Sequence, residues 1–202
     1  VLPKLIKHYQ FIDSFLQVKP GRYIWDGNGS GWDNILKVQR HRYWVETPAM
    51  QALAAKYIIK MANVLGDKLI AKRFSGEVEK KRKVMEDYWN KDKSWYCSLD
   101  SAENFTGKTI SGMWPVLAGL VPPERVKSIV QLNLMNREKF LTPEMPLPSL
   151  AKDEFGYDPE GKYWQGSVWL NMSVMTLQGL EEHGYEKEAT GLAIRTLNGM
   201  AK

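Results

Sequence analysis

The residues best suited to chemistry lie in one glycine-rich segment, residues 21–34, between two stretches of helical pattern. The segment contains four glycines and two tryptophans, Trp25 and Trp32, and it ends in Asp33 and Asn34. Glycine lets the backbone turn sharply and come close to a ligand. An indole face can stack on the apolar face of a sugar while carboxyl and amide groups hydrogen-bond its hydroxyls. The sequence therefore predicts a loop that faces a ligand.

Two other interpretations of the same segment need weighing. Residues 26–31 begin like a calcium-binding loop, but the twelfth position, which should supply a bidentate Glu, is Lys37. This mismatch disfavours calcium, and the three histidines and one cysteine show no metal-ligand spacing, so no metal or other cofactor is predicted. The short side chains of Asp26, Asn28 and Asp33 could instead only close Asx-turns, an alternative that composition does not separate from a ligand site.

Three stretches of the chain together resemble one family of glycoside hydrolases. Residues 30–34, Ser-Gly-Trp-Asp-Asn, resemble the Ser-Gly-x-Asp-Asn-Ser-Pro-Arg signature of the enzymes related to mannosyl-oligosaccharide glucosidase and mannosylglycerate hydrolase, glycoside hydrolase family 63. Residues 148–153 and 163–170 are similar to that family's Pro-Ser-Leu-Ala run followed by Tyr-Trp-Arg-Gly-x-x-Trp. Residues 112–119 also resemble it. Because the stretches occur in the family's order and span nearly the whole chain, the resemblance is more specific than any single motif.

The resemblance implies hydrolysis of O-glycosidic bonds with inversion, of the α-glucosidase or α-mannosidase type. Such a reaction needs one protonated carboxyl group for the leaving oxygen and a second, about 6.5–9.5 Å away, to activate water. Asp33 matches the family's general acid. Its neighbour Trp32 would reduce the solvation of the carboxyl group and so raise its pKa. Asn34 and Trp32 would hold and stack on the sugar.

The other predicted sugar contacts come from the later stretches and from the start of the glycine-rich segment. We expect aromatic and polar side chains there to face Asp33 across the site. Trp164 and Trp169 could instead be simple core anchors, since an indole packs as well as it stacks. The predicted contacts are Tyr163, Trp164, Gln165, Gly166 and Trp169, with Trp25 and Trp114 as further candidates.

Three departures from the family pattern bear on catalysis. Residues 35–37, Ile-Leu-Lys, replace Ser-Pro-Arg, and Gln165 replaces the Arg of Trp-Arg-Gly, so a planar cation is lost at each place. The family's general base would lie in a loop beyond the last helix of this sequence. Glu46, Glu144 and Glu154 are present, but none falls in a matching motif. One carboxyl group of the pair is therefore predicted, and the general base is not evident.

The hydrophobic pattern predicts a mainly α-helical chain, with apolar residues at helical spacing in seven segments. Two of them should form an antiparallel hairpin that begins at Thr47 as N-cap, turns at Gly66 and restarts at Asp67. A short strand is expected over 94–99 and a long ordered loop over 140–162. The predicted helices cover residues 2–15, 47–65, 67–89, 113–120, 122–130, 164–182 and 189–200.

Helical hairpins whose loops gather at one end fit an (α/α) six-hairpin toroid, the architecture that the resemblance also implies. Such a toroid has about twice the number of helices predicted here. Residues 1–202 are therefore expected to form a single catalytic-type domain that is part of a larger barrel. We expect another chain or a missing segment to complete it.

Composition narrows the class of protein. With 44% hydrophobic and 25% charged residues the chain resembles an ordinary soluble globular protein. The net charge of +5 is modest, and the basic run 80–83 lies among acidic residues, which disfavours a nucleic-acid partner. No apolar run approaches the roughly 18 residues of a membrane span. Because the sequence begins with Val1, a missing N-terminal part is left open and no compartment is predicted.

Three hypotheses about function follow. The favoured one is a glycosidase that acts on an oligosaccharide or a small glycoside, with a trehalase-like enzyme as the alternative within the same class. The second is a carbohydrate-binding homologue without catalysis, which the altered residues Lys37 and Gln165 support. The third is a helical interaction scaffold with no sugar site. Turnover separates the first two, and sugar binding near the tryptophans excludes the third.

Overall fold

The computed structural model describes residues 1–25, 31–35 and 39–201, and within these ranges the protein is mainly helical, as predicted. Short helical turns connect the longer helices. The α-helices of the described ranges are α1 (Leu2–Phe15), α2 (Glu46–Val64), α3 (Lys68–Val84), α4 (Trp114–Leu117), α5 (Pro123–Ile129), α6 (Leu170–Glu181) and α7 (Glu186–Met200). The 3-10 turns are Met85–Tyr88, Ile110–Met113 and Tyr163–Gln165, and a π turn covers Val130–Leu134.

The strands of the described residues are short and form two antiparallel pairs. Strand β1 (Gln17–Lys19) pairs with β2 (Arg22–Tyr23) directly after α1. Strand β3 (Trp89–Asn90) pairs with β4 (Trp95–Tyr96), so that Trp89 lies opposite Tyr96. The strand predicted over 94–99 is thus present but shorter. These hairpins join helices and form no extended sheet.

The hairpin of α2 and α3 is confirmed. Gly66 turns the chain at a φ of 73°, where a side chain would be strained. The carboxyl group of Asp67 caps α3 by accepting a hydrogen bond from the backbone N–H of Ile70 at 3.0 Å. The prediction of Thr47 as N-cap is wrong, because α2 already begins at Glu46. Thr47 instead accepts a hydrogen bond from Trp25.

Two predicted helices have the wrong bounds. Helix α3 ends at Val84, and the chain then tightens into a 3-10 turn before β3 rather than continuing to Trp89. The helix predicted from Trp164 begins only at Leu170. Before it, Lys162 and Tyr163 have positive φ values of 26° and 64°, a backbone conformation that no α-helix accommodates. The apolar spacing of the segment could not reveal this turn.

Helix α2 is the centre of the packing. It contacts α1, α3 and α4, while α4 contacts α6 and α6 contacts α7. Several alanines on the buried side of α2 let the neighbouring helices approach closely. The helices α2, α4 and α6 therefore form one continuous row, with α3 and α7 packed against its two ends.

The outer side of this row carries exposed apolar side chains beside polar ones. Tyr57 on α2 and Val174 on α6 are each about half exposed, at 54% and 52% of their surface. Asn171, Glu181 and Glu182 line the same surface. Further apolar side chains lie exposed on α1 and α7, among them Phe15 and Leu197. None of the helices in the described ranges has the length and hydrophobicity of a membrane-spanning segment.

Candidate active site

The three stretches singled out in the sequence meet at one end of the helical row. Pro148 pairs with Val168 in an antiparallel bridge, and the backbone N–H of Ser149 donates to the Ser167 carbonyl at 2.9 Å. The Ser149 carbonyl in turn accepts from the N–H of Ile110 at 2.9 Å. The long loop 140–162 is thereby joined both to the turn before α4 and to the turn before α6. Asp33 and Asn34, at the end of the glycine-rich segment, contact this junction.

Asn34 makes that connection. Its side-chain Nδ2 donates to the Lys162 carbonyl at 2.7 Å and to Oε1 of Gln165 at 3.0 Å. Its Oδ1 accepts from the backbone N–H of Trp164 at 3.0 Å. Gln165 completes the set by donating from Nε2 to the Gly156 carbonyl at 3.0 Å. The side-chain amides of Asn34 and Gln165 were predicted to bind sugar. In the structure their hydrogen bonds instead connect residues 31–35 with the turn at Tyr163–Gln165.

Asp33 lies exposed beside the hydrogen bonds of Asn34 and Gln165. The hydroxyl group of Tyr163 donates a hydrogen bond to its Oδ2 at 3.0 Å, and this bond raises the pKa of the Tyr163 phenol. Trp32 was expected to reduce the solvation of the Asp33 carboxyl group, but Asp33 is exposed. The indoles of Trp32 and Trp164 are buried, at 2% and 5% exposure. Since the carboxyl group faces solvent, the protein surface leaves it open to a substrate.

The indoles form a stacked row. The rings of Trp32 and Trp164 are 4.1 Å apart, and those of Trp164 and Trp169 lie 4.2 Å apart and nearly parallel. Trp32 and Trp164 both belong to the hydrophobic core cluster. Their predicted contacts with a sugar stay predictions. Trp169 is only half-buried and touches the exposed Tyr163 ring, 5.2 Å away. These two rings are the accessible aromatic surface next to Asp33.

The other predicted contacts lie at different depths. A Cβ atom at Gly166 would approach the Asp158 carbonyl to 2.3 Å, so the backbone there requires glycine. Trp25 is half-buried, and its indole N–H donates to the Thr47 hydroxyl at 2.7 Å. Trp114 lines a separate cavity of about 450 Å³ between α2, α4 and α6, which none of the described residues around Asp33 lines. The structure thus does not group Trp114 with Asp33.

The three glutamates considered as a base have different surroundings. Glu154 lies between Lys93 and Lys108, with N–O distances of 2.8 and 2.7 Å. Burial acts to raise its pKa, but the hydrogen bonds and charges of the two lysines outweigh burial and hold the pKa below its ordinary value. Glu144 is exposed on the long loop. Glu46 is buried at 6% exposure.

Glu46 is the functional candidate that sequence reasoning undervalued. Burial raises its pKa to about 7, although hydrogen bonds with Ser111 and Trp32 favour its charged form. Glu46 directly precedes the Thr-Pro pair that marks a helix start, an unremarkable place for a glutamate, so no sequence signal marked its burial. Residues 26–30 and Lys37, which carry the calcium-like pattern and one family departure, lie outside the described residues.

Comparison with solved structures defines the fold class. A crystal structure of an uncharacterized conserved protein from Thermus thermophilus superposes with a TM-score of 0.78 at 19% identity, covering 96% of this chain and 60% of that one. Mannosylglycerate hydrolase from the same organism, in complex with glucose, superposes with a TM-score of 0.66 at 22% identity, over 76% of this chain and 36% of that one. The helical row is therefore part of an (α/α) toroid of the glycoside hydrolase type.

The sequence comparisons define the family. Residues 12–202 match the model of the mannosylglycerate hydrolase MGH1-like glycoside hydrolase domain. The chain belongs to this family of glycoside hydrolases. An uncharacterized protein from Borreliella burgdorferi is 31% identical over 202 residues, which cover 98% of this chain and 41% of that protein. Mannosylglycerate hydrolase from Thermus thermophilus is 29% identical over 110 residues, 54% of this chain and 26% of that enzyme. The chain thus spans less than half of these relatives.

Proposed function

We propose that this chain supplies the general-acid half of an inverting glycosidase site, with Asp33 as the acid. One observation carries the proposal. The exposed Asp33 carboxyl group lies where hydrogen bonds join the stretches 31–35, 148–149 and 162–168, with the Tyr163 hydroxyl 3.0 Å from its Oδ2. A general acid must reach the leaving oxygen within hydrogen-bonding distance, and an exposed carboxyl group on a fixed loop meets that requirement.

The substrate class follows from the surface around Asp33. Tyr163 and Trp169 offer accessible ring faces on which a sugar can stack, and aromatic platforms of this kind suit the apolar face of a pyranose. An oligosaccharide or a small glycoside of α-mannose or α-glucose is therefore proposed. The name of the Thermus relative makes mannosylglycerate the first compound to try. A bound sugar would also supply the exclusion of water that Trp32 and Trp164 do not provide.

The general base is proposed to come from outside this chain. Glu154 is engaged with two lysines, Glu144 is exposed on the long loop, and Glu46 is buried. The outer side of α2 and α6, with its half-exposed Tyr57 and Val174, is the surface on which another chain or a further segment would dock, completing the barrel and bringing the second carboxyl group. Inversion requires that this group act on the opposite side of the sugar ring.

A binding protein without catalysis is the second candidate. Gln165 favours it, because a neutral amide engaged with Asn34 and Gly156 stands where the family carries a cation. Such a protein would bind the sugar at Tyr163 and Trp169 but would not hydrolyse it.

The test is the substitution Asp33→Asn in the intact protein. Hydrolysis of an α-mannoside should fall by about 10²–10⁴-fold, the usual contribution of a general acid, while sugar affinity measured by calorimetry stays nearly unchanged. The control is Asp92→Asn, which changes an exposed acid in the turn between β3 and β4. Binding without turnover in the unaltered protein would favour the second candidate, and full activity of Asp33→Asn would overturn the first.

A further inference from the structure

The backbone around Tyr163 departs from the conformations that residues with side chains normally adopt. Lys162 and Tyr163 follow each other with positive φ values of 26° and 64°. Two consecutive residues of this kind, neither of them glycine, persist only where surrounding contacts hold them, and such strain collects at functional sites. Within the loop, the backbone N–H of Asp158 donates to the Gln165 carbonyl at 2.7 Å and closes the base of this turn. The contacts at its tip come from Asp33 and Asn34.

The side chain of Asn34 binds the peptide groups on both sides of Tyr163. Its Nδ2 donates to the Lys162 carbonyl at 2.7 Å, and its Oδ1 accepts from the Trp164 N–H at 3.0 Å. Nδ2 also donates to Oε1 of Gln165 at 3.0 Å. A primary amide has two N–H donors, so both donors of Asn34 are engaged with the turn and neither is left for a sugar hydroxyl.

Tyr163 is thereby held at both ends by two consecutive residues. Asn34 holds its backbone, and Oδ2 of Asp33 accepts a hydrogen bond from its hydroxyl group at 3.0 Å. Gln165 in turn donates to the Gly156 carbonyl at 3.0 Å, which connects the same hydrogen bonds to the long loop. Without the Asn34 amide, the backbone at Tyr163 can relax toward ordinary φ values, and this relaxation moves the phenol away from Asp33.

We propose that Asn34 is a positioning residue for Asp33, because its amide keeps the Tyr163 hydroxyl group on the Asp33 carboxyl group. This inference rests on the proposed role of Asp33 as general acid. It gives Asn34 a task that needs no contact with the sugar. With Oδ2 accepting from Tyr163, the other oxygen of Asp33, Oδ1, carries the proton that passes to the leaving oxygen and leaves Asp33 as a carboxylate.

The contact is tested without any assay of activity, by titrating the Tyr163 phenol, whose pKa the hydrogen bond to Asp33 raises. In the intact protein, labelled with carbon-13 at its tyrosine rings, the Tyr163 signal is assigned by its loss in Tyr163→Phe. We expect this pKa to fall in Asp33→Asn and to fall as far in Asn34→Ala. Asn34→Ser, whose side chain is too short to reach both peptide groups, should have the same effect if Asn34→Ala does not fold. An unchanged Tyr163 pKa in these variants would overturn the proposal.

Asn104→Ala is the matched control. The side chain of Asn104 also donates a hydrogen bond, to Asp100 at 3.2 Å, and Asn104 follows another residue with a positive φ, Glu103 at 64°. It lies in an exposed turn outside the three stretches that meet at Asp33. Its loss should leave the Tyr163 pKa and kcat unchanged. A fall in the Tyr163 pKa as large as that of Asn34→Ala would contradict a specific role of Asn34.

Positioning through Tyr163 is tested by kinetics in a double-mutant cycle. Asn34→Ala should lower kcat about 2- to 10-fold with little change in KM, because the loss is that of one exposed hydrogen bond. Since Asn34→Ala and Tyr163→Phe remove the same hydrogen bond, the double variant should be no slower than either single one. Losses that multiply in the double variant would refute the proposal. Full activity of Asp33→Asn, with a lowered Tyr163 pKa in Asn34→Ala, would overturn the role of Asp33 and uphold the contact.

Discussion

Two glutamates of this protein, the buried Glu46 and the half-buried Glu154, show how surroundings decide what a carboxyl group can do. Glu154 lies between the ammonium groups of Lys93 and Lys108, 2.8 and 2.7 Å away. Glu46 is more deeply buried, and the side chains that act on its pKa besides burial, Ser111 and Trp32, are neutral. The pKa of Glu154 is held below its ordinary value while that of Glu46 is raised to about 7.

The difference teaches that cationic partners can outweigh burial and keep a carboxyl group charged, whereas burial beside neutral groups leaves its charge adjustable. The Glu154 region ties the long loop to the chain around Lys93 and Lys108, and the lowered pKa of Glu154 keeps this carboxyl group charged near neutrality. The raised pKa of Glu46 lets its charge change near neutrality. The ion pairs of Glu154 hold the long loop in place, whereas the charge of Glu46 depends on pH.

The largest effect expected from this comparison is on stability. Glu154→Ala would leave Lys108, whose side chain is 4% exposed, with only the partly exposed Asp153 as partner. Breaking a buried ion pair on one side costs about 3–5 kcal/mol of unfolding free energy. Urea unfolding measures it. Glu138→Ala, which removes a pair between exposed side chains, is the control and should change stability by less than about 1 kcal/mol. Equal losses in the two variants would contradict the comparison.

The pH dependence of stability should have opposite signs in the two regions. The folded pKa of Glu46 is raised from 4.5 to about 7, so its folded form binds the extra proton and stability falls as pH rises from about 4.5 to 7. The difference corresponds to about 3 kcal/mol, which Glu46→Gln should abolish. The folded pKa of Glu154 is lowered, so its stabilisation is present above the unfolded pKa and is lost as pH falls through the folded one.

Unfolding curves of Glu46→Gln and Glu154→Gln between pH 4 and 8 check both signs. If Glu46→Gln keeps the same fall in stability with rising pH as the unaltered protein, then Glu46 is not the group that ionises near neutrality.

The smallest effect is expected at Tyr163. Tyr163→Phe removes the hydroxyl group that donates to Asp33 and leaves the ring that packs on Trp169. An exposed hydrogen bond is worth about 0.5–1.5 kcal/mol, so kcat should fall by about 2- to 10-fold. Steady-state kinetics measure the loss. Tyr157→Phe, on the half-buried part of the long loop, is the matched control and should have no effect. A loss of several orders of magnitude would mean that Tyr163 acts in the chemistry itself.

The sequence predicted the helices well where apolar spacing and caps act locally, as in the hairpin around Gly66 and Asp67. It failed where distant residues set the backbone. The turn at Tyr163–Gln165 is hydrogen-bonded with Asn34, about 130 positions earlier, which accepts from Trp164 and donates to Gln165, and no local pattern reveals these bonds.

The site was predicted in part for the same reason. The motifs identified Asp33, Asn34 and Tyr163, and the structure brings these residues together. The burial of Trp32 and Trp164 could not be predicted, since a tryptophan in a motif suits a sugar platform and a core equally well.

The central claim, that Asp33 protonates the leaving group, is tested most directly by varying the leaving group. In the intact protein, Asp33→Asn should cut hydrolysis of a natural α-glycoside by about 10²–10⁴-fold. Hydrolysis of the corresponding glycosyl fluoride, whose leaving group needs little protonation, should fall far less. Equal losses on the two substrates would contradict the account and remove Asp33 from the role of general acid.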